Sequence, residues 1–215
     1  MSTELDTRAK LLNATIEAIS SGGEGSVRVS NVASAVGVRE PSVYHFFKNR
    51  EALVEAAQIE RYRRSYTEMM VPFEAAAMMS DSWDDFERAV RKILAAVYTP
   101  QRAEIRSIRM NVMGAAQTSQ TIAAAVIDIN HESAESLARV MVFGQEKGWV
   151  TKDLDAMALA YWGIGQLNGR VMAEMNPSKV DLEAWNKVSI EAVLGVYRWK
   201  EPKYAPTGRF PTMNT

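Results

Sequence analysis

The segment Val29-Ser-Asn-Val-Ala-Ser-Ala-Val-Gly-Val-Arg-Glu-Pro-Ser-Val-Tyr-His-Phe-Phe-Lys48 constrains this chain more than any other part of it. Two short helices that cross tightly need a small side chain at the crossing, a glycine able to take positive φ in the turn, and apolar residues facing inward. Ala33 is that small residue, Gly37 is the turn, and Val32, Val36, Val38, Val43 and Phe46 form the inward set. The spacing predicts one helix from about Val29 or Ser30 to Val36 and another from near Pro41, whose missing N–H has no partner in a first helical turn anyway. Upstream, Leu11, Leu12, Thr15, Ile16 and Ile19 repeat at helical spacing before Ser21-Gly22-Gly23, giving a preceding helix; the first six residues are expected to be irregular. Hairpins with a glycine turn are common in helical bundles, so this spacing alone leaves a plain packing role open.

The remainder of the chain also reads as helix. With 12 Gly and 7 Pro among 215 residues, and no strand-like alternation, long breaker-free stretches favour an all-α fold. Asn49 and Glu51 open a helix whose apolar positions Leu53, Val54, Ala57 and Ile59 continue to Met69, Met70 and Val71, where Pro72 is expected to end it. Ser82-Trp83-Asp84-Asp85 resembles a capping box for a helix to about Tyr98, with Pro100 forcing a break. Further helices are expected from near Gln101 to Gly114 and from about Ser119 to Lys147. Two more would be capped by Asp153 or Asp155 and by Asp181. The organisation that follows is residues 1–50 as a three-helix helix-turn-helix domain and 51–200 as a helical bundle. Residues 51–71 would connect the two, and 201–215 would form an irregular tail.

The quoted segment, read as Asn31-Val-Ala-Ser-Ala-Val-Gly-Val and Pro41-Ser-Val-Tyr-His-Phe-Phe-Lys-Asn-Arg-Glu-Ala-Leu, resembles the tetracycline-repressor (TetR/AcrR) family of transcriptional regulators over roughly residues 8 to 55. Arg39 stands where that family usually has Ser, and Arg28-Val29 stand where it usually has Thr. The resemblance implies a transcriptional regulator, read here as a repressor that binds a palindromic operator as a homodimer and is released by a small molecule; an activator on the same fold is the alternative that the sequence leaves open. The third helix would lie in the major groove of double-stranded operator DNA, presenting Glu40, Pro41, Ser42 and His45 to base edges, while Tyr44 and Lys48 hold phosphates. Ser30 and Arg28 are further contact candidates. Independently of the family, a phenol and an ammonium donate well to phosphate, and the helix opening at Asn49 offers a positive end to another. The net charge of −1 requires any such contact to be local, and Arg28, Arg39, Lys48 and Arg50, followed by Arg61, Arg63 and Arg64, are the candidate patch, against the plainer reading that charge alone favours, of ordinary solvated helix faces.

For the second half the resemblance implies a ligand-binding and dimerisation bundle, with the last two helices, near 153–174 and 181–199, pairing about a twofold axis. Gly163, Gly165 and Gly169, with Gly195, would allow close approach. Met69, Phe86, Tyr98, Met110, Met113 and Trp162 are large, adaptable candidates for lining a pocket for an apolar or aromatic effector, against the plainer reading that they are core. Arg106 or Arg109 could neutralise an acidic effector, a surface role being the default for an arginine.

One constellation suggests a rival. Asp128, His131, Glu132 and Glu135 fall at i, i+3, i+4 and i+7 on one helix face, a spacing able to present ligands to a metal. A di-metal bundle needs a second such motif; the other of the two histidines is His45, far off in the helix-turn-helix. An ion-paired solvated face is the better account, no cofactor or metal is expected, and with no glycine-rich phosphate loop or serine elbow the chain does not read as an enzyme. The absence of cysteine fits a reducing compartment, and no apolar run nears the roughly 18 residues of a membrane span, so the expected location is the cytoplasm.

Overall fold

A computed structural model describes residues 2–200 of the chain; the tail expected at 201–215 lies outside the described residues. The described residues form an all-α architecture: α1 Ser2–Gly22, α2 Val29–Val36, α3 Glu40–Phe46, α4 Arg50–Met78, α5 Trp83–Val97, α6 Ala103–Ala115, α7 Gln120–Glu146, α8 Ala156–Glu174 and α9 Leu182–Tyr197. Short 3-10 turns precede α2 and α6.

Two departures from the sequence expectation concern helix ends. The first helix begins at Ser2, so residues 2–6 are helical where an irregular start was expected, and an Asp6–Lys10 pair at 2.6 Å supports its opening turns. Pro72 does not end α4, which runs through it to Met78. Phe73 and Ala77, just beyond the proline, are buried in the core, and α4 packs along α7. Tertiary burial of that last stretch outweighs the hydrogen bond that the proline ring removes. Caps elsewhere follow the sequence: Asn49, Ser82, Ser119, Asp155 and Asp181 each accept a backbone N–H of the first turn through their side chains.

The buried side chains fall into two clusters. The first joins Leu11, Leu12 and Ile19 of α1 to Val29, Val32 and Ala33 of α2, Val43 of α3, Phe47 and the opening turns of α4 through Ala57. The second begins at Tyr62 and draws on α4 to α9. A single 29-residue helix therefore belongs to both cores, its first two turns fixed in one and its remainder in the other. That shared helix is the direct mechanical link between the two halves.

Candidate nucleic-acid interface and effector cavity

The turn between α2 and α3 is built as the sequence requires. Gly37 sits at φ 75°, the Val38 N–H reaches the Ala33 carbonyl at 3.0 Å and the Gly37 N–H reaches the Ser34 carbonyl at 3.1 Å, closing α2 with a left-handed cap. A Cβ at Gly37 would meet nothing within 4 Å, so it is the backbone angle, not space, that calls for glycine there. Pro41 occupies the first turn of α3. Val43 is 1% exposed and locks α3 onto α2, while Glu40, Pro41, Ser42, Tyr44 and His45 all remain on the open side of the helix. Of the two phenylalanines it is Phe47, not Phe46, that is fully buried; Phe46 is half-buried with its ring edge against His45.

The charged side chains of this half divide by what already holds them. Arg50 Nε donates to the Val27 carbonyl at 2.9 Å and its Nη2 to the Glu24 carbonyl at 2.5 Å, so this arginine ties the α1–α2 connection to the start of α4 and is not part of an available patch. Arg64 is paired with Glu60 and Arg63 with Glu132, both at 2.7 Å, while Arg61 is half-buried against Gln58; the run of arginines on α4 likewise serves the fold. Arg28 is exposed but folds back on the Gly25 and Val27 carbonyls at 2.8 and 3.2 Å. Among the described residues Arg39 and Lys48 are exposed and have neither an acid nor a hydrogen-bond partner. Tyr44 is 47% exposed, and its hydroxyl donates to Glu40 Oε1 at 3.3 Å. Desolvation first, and the Glu40 carboxylate second, raise the phenol above its ordinary range, keeping it a donor. Ser30, Ser42 and Lys48 are also exposed, so all eight candidates for DNA contact lie on the surface.

In the other half, a cavity of about 70 Å³ lies among α4 to α9. Its wall is formed by Tyr66, Met69, Met70 and Phe73 of α4, an aliphatic row on α5, and Gly163, Ile164 and Leu167 of α8, with Arg109 the only charged side chain. Of the six residues expected to line a pocket, only Met69 does so. Phe86 is 0% exposed and packs in an aromatic cluster with Trp83, Trp149 and Tyr197. Tyr98 is buried with its hydroxyl 2.6 Å from Ser189 and its ring on Trp185, Met110 is 41% exposed, and Met113 and Trp162 pack at the edge of the core. Size and adaptability mark a residue as apolar filler; which filler borders a void depends on how six helices meet.

Arg106 and Arg109 are not on the surface: they are 2% and 5% exposed. Arg106 shares Glu174 with Arg170 and also donates to the carbonyls of Val97 and Thr99. Arg109 has no carboxylate; it donates to the hydroxyl and carbonyl of Ser65 on α4 and stacks over the Tyr66 ring, 3.8 Å from its centroid. Burial draws its basicity below the usual range. The sequence did carry a signal: Arg102, Arg106 and Arg109 at i, i+4 and i+7 form a stripe that continues to Met113 on the same inward face. The rival constellation is occupied otherwise, since Glu132 pairs with Arg63, and His131 lies 3.5 Å from Glu135 and 3.3 Å from the Tyr161 hydroxyl.

Fold and site together define a helix-turn-helix unit joined through α4 to a helical bundle that holds a small, mostly apolar cavity. Residues 11–57 match the family described as bacterial regulatory proteins, tetR family. Over 196 residues, 91% of this chain and 95% of the relative, the sequence is 22% identical to the HTH-type transcriptional regulator UidR of Escherichia coli K12. Among solved structures it is similar to Salmonella enterica GusR, with a TM-score of 0.66 and 19% identity over 91% of this chain and 97% of that one. It is also similar to FadR from Bacillus subtilis in complex with stearoyl-CoA, with a TM-score of 0.58 and 17% identity over 87% and 98%. The family match thus covers the helix-turn-helix and the opening turns of α4, and the solved structures share the fold of the rest. No helix among the described residues is long and apolar enough to cross a membrane.

Proposed function

We propose that this regulator is a repressor that binds a palindromic operator as a homodimer and leaves it when a small, largely apolar effector enters the cavity. The observation that carries the reading is α3. Its buried edge is fixed by Val43, while Glu40, Pro41, Ser42 and His45 stand clear where base edges would be, flanked by the unpaired cations of Arg39 and Lys48. A short rigid helix with one locked and one polar open face is what major-groove readout requires.

The dimer reading draws on α8 and α9. Tyr161, Gly165, Gly169 and Met172 line one exposed stripe of α8, and Ala184, Val188, Ala192 and Gly195 line one of α9. Met172 and Val188 are 78% and 70% exposed, and a Cβ at Gly165, Gly169 or Gly195 would meet nothing in its own subunit. Apolar and small residues left open in one subunit suit a close helix–helix interface with a second copy. Gly163 belongs elsewhere, facing Leu137 of α7 at the cavity wall. For release, the effector must bind the DNA-free form more tightly than the bound one, and α4, present in both cores, gives the cavity a path to α3.

The test is titration of variants against an operator selected by the wild-type protein and against a scrambled duplex. Ser42→Ala and His45→Ala are expected to lose discrimination by about 1–3 kcal/mol for each good base contact, with non-specific affinity little changed. Wild-type discrimination in both variants would remove α3 from the groove. A ligand screen in which no compound alters operator affinity would remove the effector reading.

A further inference from the structure

From the surroundings of Arg109 we infer that the cavity takes a compact carboxylic acid in its ionised form, an apolar body with one carboxylate, and that Arg109 is the group that anchors the carboxylate. The inference rests on the proposal that the cavity is an effector site, and it names the chemical class of that effector.

A guanidinium taken out of water needs an anion or a full set of acceptors, because its desolvation cost is not recovered otherwise. Arg106 and Arg170, the other two fully buried arginines among the described residues, meet that requirement by sharing Glu174. Arg109 does not. Its face is covered by Tyr66, its Nε and Nη2 donate to Ser65, and its Nη1 makes no hydrogen bond to any described residue. Arg102 and Arg106 lie close enough to oppose its charge further. The chain thus maintains an uncompensated positive charge at the wall of a cavity whose other lining groups are almost all apolar. A cationic head would be repelled there, and a neutral one would leave the charge unanswered. A carboxylate accepting from Nη1 and from the second N–H of Nη2 would compensate it in the fork geometry that arginine favours.

Size limits the rest of the molecule. The cavity of about 70 Å³ is smaller than the ~150 Å³ that accommodates a benzene ring in an apolar protein interior. The effector must therefore be small or must displace side chains, and Met69 and Met70 are the flexible ones in the wall. Because Arg109 sits on α6 and holds the Ser65 carbonyl and hydroxyl of α4, drawing the guanidinium toward a carboxylate would also loosen the grip on the helix shared with the DNA-binding half.

The experiment uses the full chain. Binding is measured by calorimetry for straight-chain acids from butanoate to dodecanoate and for phenyl-substituted acids, each beside its matched primary alcohol and alkyltrimethylammonium. Operator affinity is followed in parallel. At least one acid is expected to bind ten-fold or more tightly than its alcohol, with no ammonium binding, and to weaken operator binding. Arg109→Met, which keeps the volume and removes the charge, is expected to erase the preference for acid over alcohol while its melting temperature stays at or above the wild-type value. Arg109→Lys should retain part of it. Equal binding of acid and alcohol, preference for the ammonium, or an acid preference that survives in Arg109→Met would overturn the inference while leaving an effector site in place. Binding of no acid in the series would overturn it as well. An Arg109→Met variant that unfolds would assign the arginine to structure, and the alcohol comparison in the wild type would still decide the ligand class.

Discussion

Salt dependence separates the cations that are free to meet phosphate from those already engaged in the fold. Each phosphate neutralised on duplex DNA contributes about 0.9 to the slope of log affinity against log salt. Lys48 is unpaired, and a dimer carries it twice, so Lys48→Ala is expected to flatten the slope by about 1.8. Over a four-fold rise in salt, wild-type affinity should then fall about ten-fold further than that of the variant. Arg39→Ala should behave alike, and the double variant should lose about twice as much slope. Arg50 lies close in sequence but is held by the Val27 and Glu24 carbonyls, so Arg50→Ala should leave the slope unchanged. Removing two hydrogen bonds from a charged, partly exposed donor should instead cost about 2 kcal/mol of stability. For a chain of this length that lowers the melting temperature by about 6 °C. The assay is fluorescence-anisotropy titration of operator and scrambled duplex across the salt range, with a thermal melt of each variant. A slope unchanged in Lys48→Ala, or one flattened by Arg50→Ala with no change in melting temperature, would refute this division of the charges.

Three further outcomes follow from other parts of the fold. Val188→Glu and Gly165→Glu should each yield a well-folded monomer with weakened operator binding, checked by sedimentation; Val193, 3% exposed at the cavity wall, is the wrong place for such a charge and should destabilise the subunit instead. Gly144→Ala would put a Cβ 2.5 Å from Val150 Cγ2 and 3.4 Å from Phe86 Cζ, an overpacking expected to cost about 1–3 kcal/mol in chemical denaturation. Glu74 is held below the usual carboxylate range, chiefly by its hydrogen bonds from Arg139 and also by that from Ser136, so its contribution to stability is present above the unfolded-state value and is lost as pH falls through the folded one. Glu74→Gln should therefore narrow the stability difference between neutral and mildly acidic pH, measured by urea titration at each pH.

Local chemistry was enough for much of this protein. The αL turn at Gly37, the caps at Asn49, Ser82, Asp155 and Asp181, and the open face of α3 all depend on residues within a few positions of one another, and sequence spacing resolves interactions of that range. The resemblance to the TetR family rested on the same short stretch. Pro72 does not end its helix because its local cost is offset by the burial of Phe73 and Ala77 in a core assembled from distant helices. The tertiary structure alone decided which cations are free, since Arg50, Arg63 and Lys48 look equivalent in sequence and differ only in whether a carbonyl or carboxylate from another segment reaches them. It likewise decided the cavity. Phe86 and Met69 have similar apolar character, yet one fills an aromatic cluster and the other borders a void, because a void is what remains where six helices fail to close. Arg109 shows the same division: its place on an inward stripe was in the sequence, but the lack of a carboxylate beside it depends on where Glu174 lies, a residue on another helix.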